Sequence, residues 1–377
     1  MRNAARIASF NSRSSSLDGV KGLAALTVVV LHFVSTFHDT QFAQYAWVDR
    51  ALGVLAYTPI SALWAGSSAV ALFFILSGYA LHRMFSVATL TYAGYAVRRI
   101  IRLWLPYVAT LAVAAISISL IGSHKIAGQS DWLNSLLGSS LSASMVFEHL
   151  LMVGDFDTKP IDFVVWSLVI EMRISLVFPL IFWAVECSRP IATLVASVLI
   201  GAVSILAQHR FGSSSVSMIA TFGYQPFFVI GALMSKYESQ IERQYVQIPA
   251  VGQAGLFLIA LTFYCGGLRI SATYSTMLGA SWIIVVALCS SDARRVLDNP
   301  LIQRLGRISY SLYLCHAVVL LSFINFCYPR LPFSIIALVS LPAIIISSAL
   351  LYRFVEQPAI ALSRIVGRPF ILSRPTI

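Results

Sequence analysis

Ten apolar runs divide the chain, and polar segments connect them. A helix needs about 20 apolar residues to cross the hydrocarbon core of a bilayer. The pattern therefore predicts an all-α, polytopic integral membrane protein with about ten transmembrane helices. The predicted spans are 20–38, 60–82, 103–122, 163–186, 190–208, 217–235, 248–266, 271–290, 308–328 and 332–352.

The polar segments suggest one membrane domain between two short tails. We expect a cytoplasmic N-terminal tail at 1–16, a transmembrane domain at 17–358 and a cytoplasmic C-terminal tail at 359–377. The longest connection, about 123–162, contains a weakly amphipathic piece around Trp132–Met152. No small-residue cleavage site follows a short apolar region near the N-terminus, which favours an uncleaved first helix over a removable signal peptide.

Composition supports the membrane prediction and changes how the net charge is interpreted. Of the residues 58% are hydrophobic and only 11% are charged, and the formal net charge is +11. Soluble domains carry about a quarter charged residues. No separate basic domain, base-stacking aromatic motif or metal-finger spacing accompanies the charge, so nucleic-acid binding is not expected. The five cysteines form no CxxC pair, so neither a disulfide framework nor a zinc site is indicated.

The positions of Lys and Arg predict the orientation. If both termini are cytoplasmic, 19 of the 26 Lys and Arg residues fall on the cytoplasmic side and 6 on the other. Because positive charge concentrates in cytoplasmic loops, this asymmetry favours that arrangement. The connection at 123–162 is then extracytoplasmic, and Lys21 lies at the cytoplasmic face.

Two ionisable residues interrupt the first apolar run. Lys21 and His32 are eleven positions apart, which on a helix is three turns plus about 20°, so they share a face roughly 16 Å apart. A histidine at that depth is costly against lipid. It therefore either faces a wet cavity or is satisfied by neighbouring helices, and the pattern alone leaves both open.

The densest basic cluster lies at the predicted cytoplasmic start of the third span. On a helix Arg98, Arg99 and Arg102 fall at spacings of three and four, which places three guanidinium groups on nearly one face. Such a face suits phosphates. The competing interpretation, which holds for most such clusters, is positive charge that orients the helix in the membrane. No P-loop is present, but a phosphorylated carrier such as coenzyme A remains compatible with the cluster.

A carboxylate occupies the fourth span, in the run Trp166–Arg173. Glu171 shares a face with Ser167, whereas Arg173 points in another direction. An intramembrane Glu is a candidate functional group by default, and a structural ion pair to another helix is the competing interpretation. Because this span starts outside, we expect Glu171 in the extracytoplasmic half.

Two further apolar runs carry polar groups. Ser309, Tyr313 and His316 form one polar stripe at the start of the ninth span, which favours a lined cavity over simple helix–helix contact. In Phe73–Tyr79 the Ser77–Gly78 pair favours close helix packing. At the end of the tenth span, Pro358 is expected to terminate the helix, and Glu356 to pair with a cytoplasmic arginine.

Six of these motifs occur in an order typical of one family. They are LDGVKGLAAL…H (Leu17 to His32), FFILSGY (Phe73 to Tyr79), RxxR (Arg99, Arg102), WSLxxE (Trp166 to Glu171), SYSLYLxH (Ser309 to His316) and FVEQP (Phe354 to Pro358). Together these motifs span nearly the whole chain. In their order and residues they resemble acyltransferase family 3, the integral-membrane O-acyltransferases of bacterial envelope glycans. Lys21 departs from the pattern, since many members have Arg there; the charge is kept but the bidentate fork is lost.

The resemblance implies a ten-helix enzyme of the bacterial cytoplasmic membrane. It would take an acyl group, with acetyl as the first expectation, from cytoplasmic acyl-coenzyme A. The acceptor would be a hydroxyl of an extracytoplasmic polysaccharide, lipopolysaccharide or other glycolipid, and no metal is implied. The expected roles are donor binding by Lys21, Arg99 and Arg102, catalysis by His32, Glu171 and His316, and substrate binding by Trp166, Ser309 and Tyr313.

His32 is expected to act as the general base or, alternatively, as a transient acyl carrier. Glu171 and His316 would orient the acceptor or adjust protonation. A proton-coupled transporter or flippase that uses the same three buried groups is the main alternative. A non-catalytic scaffold is a third possibility, but it leaves those costly groups unexplained.

Overall fold

The computed structural model of the protein describes residues 2–37, 46–56, 58–87, 91–127, 129–138, 140–212, 216–266 and 272–367. Within these ranges the structure is helical and contains no strand. The helices are α1 (Arg2–Phe37), α2 (Ala46–Leu55), α3 (Gly66–Val87), α4 (Tyr92–Ile121), α5 (Asp131–Leu136), α6 (Ala143–Leu151), α7 (Trp166–Cys187), α8 (Pro190–Phe211), α9 (Met218–Lys236), α10 (Glu238–Gln247), α11 (Ala250–Tyr264), α12 (Ala272–Cys289), α13 (Ser291–Leu297), α14 (Pro300–Arg307), α15 (Ser309–Cys327), α16 (Phe333–Leu351) and α17 (Gln357–Val366).

The predicted fold class is confirmed. In the described part of the chain eight helices are long and apolar enough to cross a membrane, and they include α1, α3, α4, α7, α8, α9, α15 and α16. Two further pairs meet the same criteria but are bent, by 119° between α10 and α11 and by 91° between α12 and α13. If each bent pair is one span, the total is ten, as the apolar runs predict.

The third predicted span begins earlier than its apolar run. α4 starts at Tyr92, where the side chain of Thr91 accepts a hydrogen bond from the backbone N–H of Gly94 and caps the helix. The arginine cluster therefore lies inside the helix, not at its mouth. Hydrophobicity alone placed the start at 103 because the charged first turns of the helix lower the local average.

The expectation that Pro358 ends the last helix is wrong. After α16 the chain makes a π-helical turn at Tyr352–Glu356 and continues as α17. Pro358 occupies the first turn of α17, where a missing N–H costs little. The π turn has already interrupted the regular hydrogen-bond ladder, so the proline meets no conflict. Such turns are frequent at functional sites.

The long connection folds back against the helices. α6 lies beside the middle of α4, where the indole of Trp104 donates to the carbonyl of Leu150 at 2.7 Å. The hydroxyl of Tyr107 donates to the carbonyl of His149 at 2.9 Å. The predicted amphipathic piece is therefore two short helices, α5 and α6. They cover one side of the helix bundle.

Close backbone contact joins α3 to α9. A methyl group added at Gly78 would collide with the carbonyl of Phe228, and one added at Gly231 would collide with the carbonyl of Ile75. The packing interpretation of Gly78 is therefore correct. Its neighbour Ser77 has a different function, since it faces the cavity described below.

Gly231→Ala is expected to lower the free energy of unfolding by about 1–3 kcal/mol, because the backbone of α3 must shift to admit the methyl group. The melting temperature in detergent measures the loss. Gly255→Ala is the matched control, since it places the same methyl group on α11 with no atom within 4 Å. Equal melting temperatures for the two variants would contradict the packing account.

Candidate active site

A cavity of about 300 Å³ lies between α1, α3, α4, α7 and α15, with α14 and the π turn at its edge. Asp18 and Lys21 lie at its mouth, with side chains 43% and 33% exposed. Ser167 and Tyr313 are buried at its deep end. The residues that were predicted from the sequence and line this cavity are Lys21, Arg99, Arg102, Glu171, Ser309 and Tyr313.

An ion pair joins α4 to α7 inside this cavity. Nη2 of Arg99 donates to Oε1 of Glu171 at 2.5 Å, and its Nε donates to the hydroxyl of Ser175 at 2.9 Å. The hydroxyl of Ser77 donates to the same carboxylate oxygen at 2.6 Å. Glu171 therefore lies level with Arg99. The sequence predicts Arg99 at the cytoplasmic start of its span and Glu171 in the extracytoplasmic half. In the structure the two side chains are instead in direct contact.

The cations of the cavity differ in their partners. Nζ of Lys21 pairs with Oδ1 of Asp18 at 2.9 Å. Asp18 is an acidic residue that the sequence pattern does not single out. Arg102 is exposed into the cavity, and so is Arg307 of α14, which the sequence reasoning had counted only as cytoplasmic charge. Arg98 instead lies against Gly367, so the three guanidinium groups of the cluster do not share one face.

Two predicted residues form a histidine pair beyond the deep end of the cavity. Nδ1 of His32 and Nε2 of His316 are 2.8 Å apart, and the two rings are stacked with centroids 5.0 Å apart. Phe163 packs edge-on against His32 at 4.8 Å. His316 is fully buried, and His32 is half-buried. The 284 residues between them are bridged because α1 packs along α15.

The hydrogen bonds of His316 determine where the protons of a neutral pair lie. Its Nδ1 is 3.1 Å from the carbonyl of Leu312, which can only accept, so Nδ1 carries the proton. Nε2 of His316 then accepts, and Nδ1 of His32 must donate to it. Nε2 of His32 is left with a free lone pair. The arrangement can thus present an oriented base to a substrate.

Tyr313 lies between the cavity and the histidine pair. Its hydroxyl donates to the carbonyl of Val164 at 2.9 Å and accepts from the hydroxyl of Ser167 at 2.7 Å. Its ring is 5.8 Å from that of His316 and 6.0 Å from that of Phe73. The predicted stripe is therefore divided, since Ser309 and Tyr313 line the cavity whereas His316 pairs with His32.

Two other predicted residues have different surroundings. The ring of Trp166 packs against that of Tyr224, with centroids 5.6 Å apart, and does not line the cavity. Glu356 lines the cavity and accepts a hydrogen bond from the hydroxyl of Ser311 at 2.6 Å. The π turn thus directs a carboxylate inwards.

Asp162 is a buried carboxyl group that the sequence reasoning missed. Its Oδ1 accepts from the N–H of Val164 at 3.3 Å, and its Oδ2 has no hydrogen-bond partner in the described part of the protein. Burial raises the pKa of Asp162 to about 8. Its position directly before Phe163 puts it one residue from a contact of His32. In sequence it resembles an ordinary loop aspartate, so no signal distinguished it.

Asp162→Asn is expected to remove a pH-dependent part of the stability. Because the folded-state pKa is raised, this contribution is full below the unfolded value of 3.8 and is lost as the pH rises towards 8. The loss is up to about 1.4 kcal/mol per pH unit. The melting temperature of the wild type should therefore fall over this range more steeply than that of the variant.

The matched control is Asp157→Asn, which changes an exposed aspartate of the same connection. Its pH profile should follow that of the wild type. Parallel profiles for the wild type and Asp162→Asn would show that Asp162 stays ionised in the folded protein.

The described residues contain no group of three or more His, Cys, Asp or Glu side chains that could hold a metal ion. What they do contain is a cationic cavity, an oriented histidine pair and a tyrosine between them. Cations suit an anionic ligand, and a histidine with a free lone pair suits removal of a proton from a hydroxyl.

Comparison with known proteins gives one family. The model of the acyltransferase domain of acyltransferase family 3 matches residues 14–353. Nodulation protein 10 of Rhizobium leguminosarum bv. viciae is 22% identical over 296 residues, which cover 73% of this chain and 78% of that protein. No solved structure matches. The family match covers nearly all of the chain, including the histidine pair and most residues that line the cavity, so the chain belongs to acyltransferase family 3 and is a membrane acyltransferase.

Proposed function

We propose that this acyltransferase moves an acyl group, acetyl in the first instance, from cytoplasmic acyl-coenzyme A to a hydroxyl of an extracytoplasmic polysaccharide or glycolipid. The observation that carries the proposal is the cationic cavity whose buried end lies one tyrosine away from the histidine pair. The bacterial cytoplasmic membrane, with lipid around the bundle, is the proposed location. The excess of Lys and Arg on one side supports cytoplasmic termini.

The donor would lie with its phosphates at the mouth and its thioester at the deep end. The four Lys and Arg side chains that line the cavity outnumber its three carboxylates, and Lys21, Arg99 and Arg102 would face a polyanionic carrier. The volume of about 300 Å³ is at the lower end for small-molecule sites, so it suits the acyl-pantetheine arm and leaves the nucleotide outside.

The reaction would be attack of the acceptor oxygen on the thioester carbonyl carbon. His32 would take the hydroxyl proton at Nε2 as the new C–O bond forms, and the C–S bond then breaks to release coenzyme A, whose sulfur recovers a proton. His316 would hold His32 in the tautomer that exposes this nitrogen. Glu171 would act indirectly, by fixing Arg99. Ser309 and Tyr313 would contact the substrates, while Trp166 would support the wall through Tyr224.

The proposal is tested with the purified protein in liposomes, supplied with acetyl-coenzyme A and surface polysaccharide from which ester groups have been removed. We expect release of free coenzyme A thiol and formation of an equal amount of base-labile ester. Both should require the polysaccharide. Transport of a glycan without consumption of acetyl-coenzyme A would instead support the transporter alternative.

A further inference from the structure

The cations around the cavity are not equally available to a ligand. Arg99 is held by Glu171 and Ser175, and Lys21 is held by Asp18. Arg102 and Arg307 make no hydrogen bond or ion pair to any described residue, although both face the cavity. A ligand that enters therefore meets two unpaired guanidinium groups.

Arg307 is held in place by the backbone around it. It is the last residue of α14, and its neighbour Gly306 packs so closely on α1 that a methyl group there would collide with the carbonyl of Asp18. On the other side, Ser309 is buried in the first turn of α15. These contacts fix Arg307 beside the mouth, while Arg102 reaches the same cavity from α4.

We propose that Arg102 and Arg307 form a clamp for the diphosphate group of the acyl donor, whereas Arg99 is a positioning residue in the wall of the cavity. The inference rests on the proposed function, since it assumes a donor with a diphosphate. Planar guanidinium groups bind phosphate oxygens in bidentate fashion. Two of them, supplied by different helices, can hold one diphosphate between them.

The clamp also gives the donor a direction. Arg307 lies beside the exposed mouth, since the adjacent Gly306 packs on Asp18, and the closed end lies at Tyr313. A donor held by its diphosphate at the mouth must extend its pantetheine arm towards Tyr313. The thioester then arrives at the end of the cavity that is nearest to the histidine pair.

The test compares Arg307→Gln and Arg102→Gln with Arg304→Gln, an exposed arginine one turn earlier on α14 that does not line the cavity. Each variant loses one positive charge. We expect KM for acetyl-coenzyme A to rise about tenfold or more in the two clamp variants and to stay unchanged in Arg304→Gln. With acetyl-pantetheine, which has the same thioester but no phosphate, all three should match the wild type.

Equal KM values for Arg307→Gln and Arg304→Gln would overturn the clamp, as would an equal loss with both donors. Binding is measured separately, as the rise in melting temperature that coenzyme A causes in the absence of acceptor. If coenzyme A stabilises the wild type and Arg304→Gln but not Arg307→Gln, the clamp stands even where no transfer occurs. If the wild type does not bind coenzyme A, the clamp and the proposed function both fall.

Discussion

His32→Ala abolishes acyl transfer while the protein remains folded in the membrane; this is the largest effect that we expect. The substitution removes the only nitrogen of the histidine pair that is left with a free lone pair, so no oriented base remains for the acceptor hydroxyl. General-base catalysis contributes about 10²–10⁴-fold to rate, and a loss of that size brings transfer close to background. The measurement is ester formation per molecule of folded protein.

His316→Ala tests whether His316 acts only by orienting His32, the proposed base. Here His32 keeps its ring but loses the partner that fixes its tautomer and orientation, so we expect a smaller loss of about 10–100-fold. A loss as large as that of His32→Ala would show that both rings take part directly in the chemistry. Normal activity in His32→Ala, at a normal protein level, would contradict the role of this histidine.

Glu171→Ala is expected to have the largest effect on stability. It leaves the guanidinium of Arg99, only 11% exposed, without its carboxylate. Removing one partner of a buried ion pair typically lowers the free energy of unfolding by about 3–5 kcal/mol. The variant should therefore melt at a much lower temperature in detergent, and less protein should accumulate in the membrane.

Two comparisons make this prediction specific. In the double variant Arg99→Ala with Glu171→Ala, no unpaired charge remains, so the melting temperature should recover in part. Arg295→Ala breaks the pair with Asp292, in which both side chains are more than 80% exposed, and should change nothing measurable. A Glu171→Ala variant that melts like Arg295→Ala would contradict the importance of the buried pair.

The helices could be predicted because each span is a local property of about 20 consecutive residues. All ten apolar runs correspond to helices or bent helix pairs of the described structure. Helix ends were less predictable, since they depend on single contacts. The cap at Thr91 starts α4 before the apolar run, and the π turn carries the chain past Pro358 into α17.

The candidate site was predictable as a set of residues but not as an arrangement. Buried ionisable groups stand out in an apolar sequence, which is how His32, Glu171 and His316 were selected. Their partners depend on helix packing: Glu171 bonds to Arg99 across 72 positions, and the two histidines are 284 positions apart. Arg307 was indistinguishable from the many arginines that orient the protein, because only the structure places it at a cavity.

The most direct test of the account is the ester content of surface polysaccharide, released with mild base, from cells that lack the gene. Three strains of this background are compared: one with no added gene, one with the wild-type gene and one with His32→Ala. The membrane level of the protein is measured in each strain. We expect the gene-dependent ester only in the strain that carries the wild type. Equal ester in all three strains, with His32→Ala present at the normal level, would contradict acyl transfer to a surface glycan through the buried histidine.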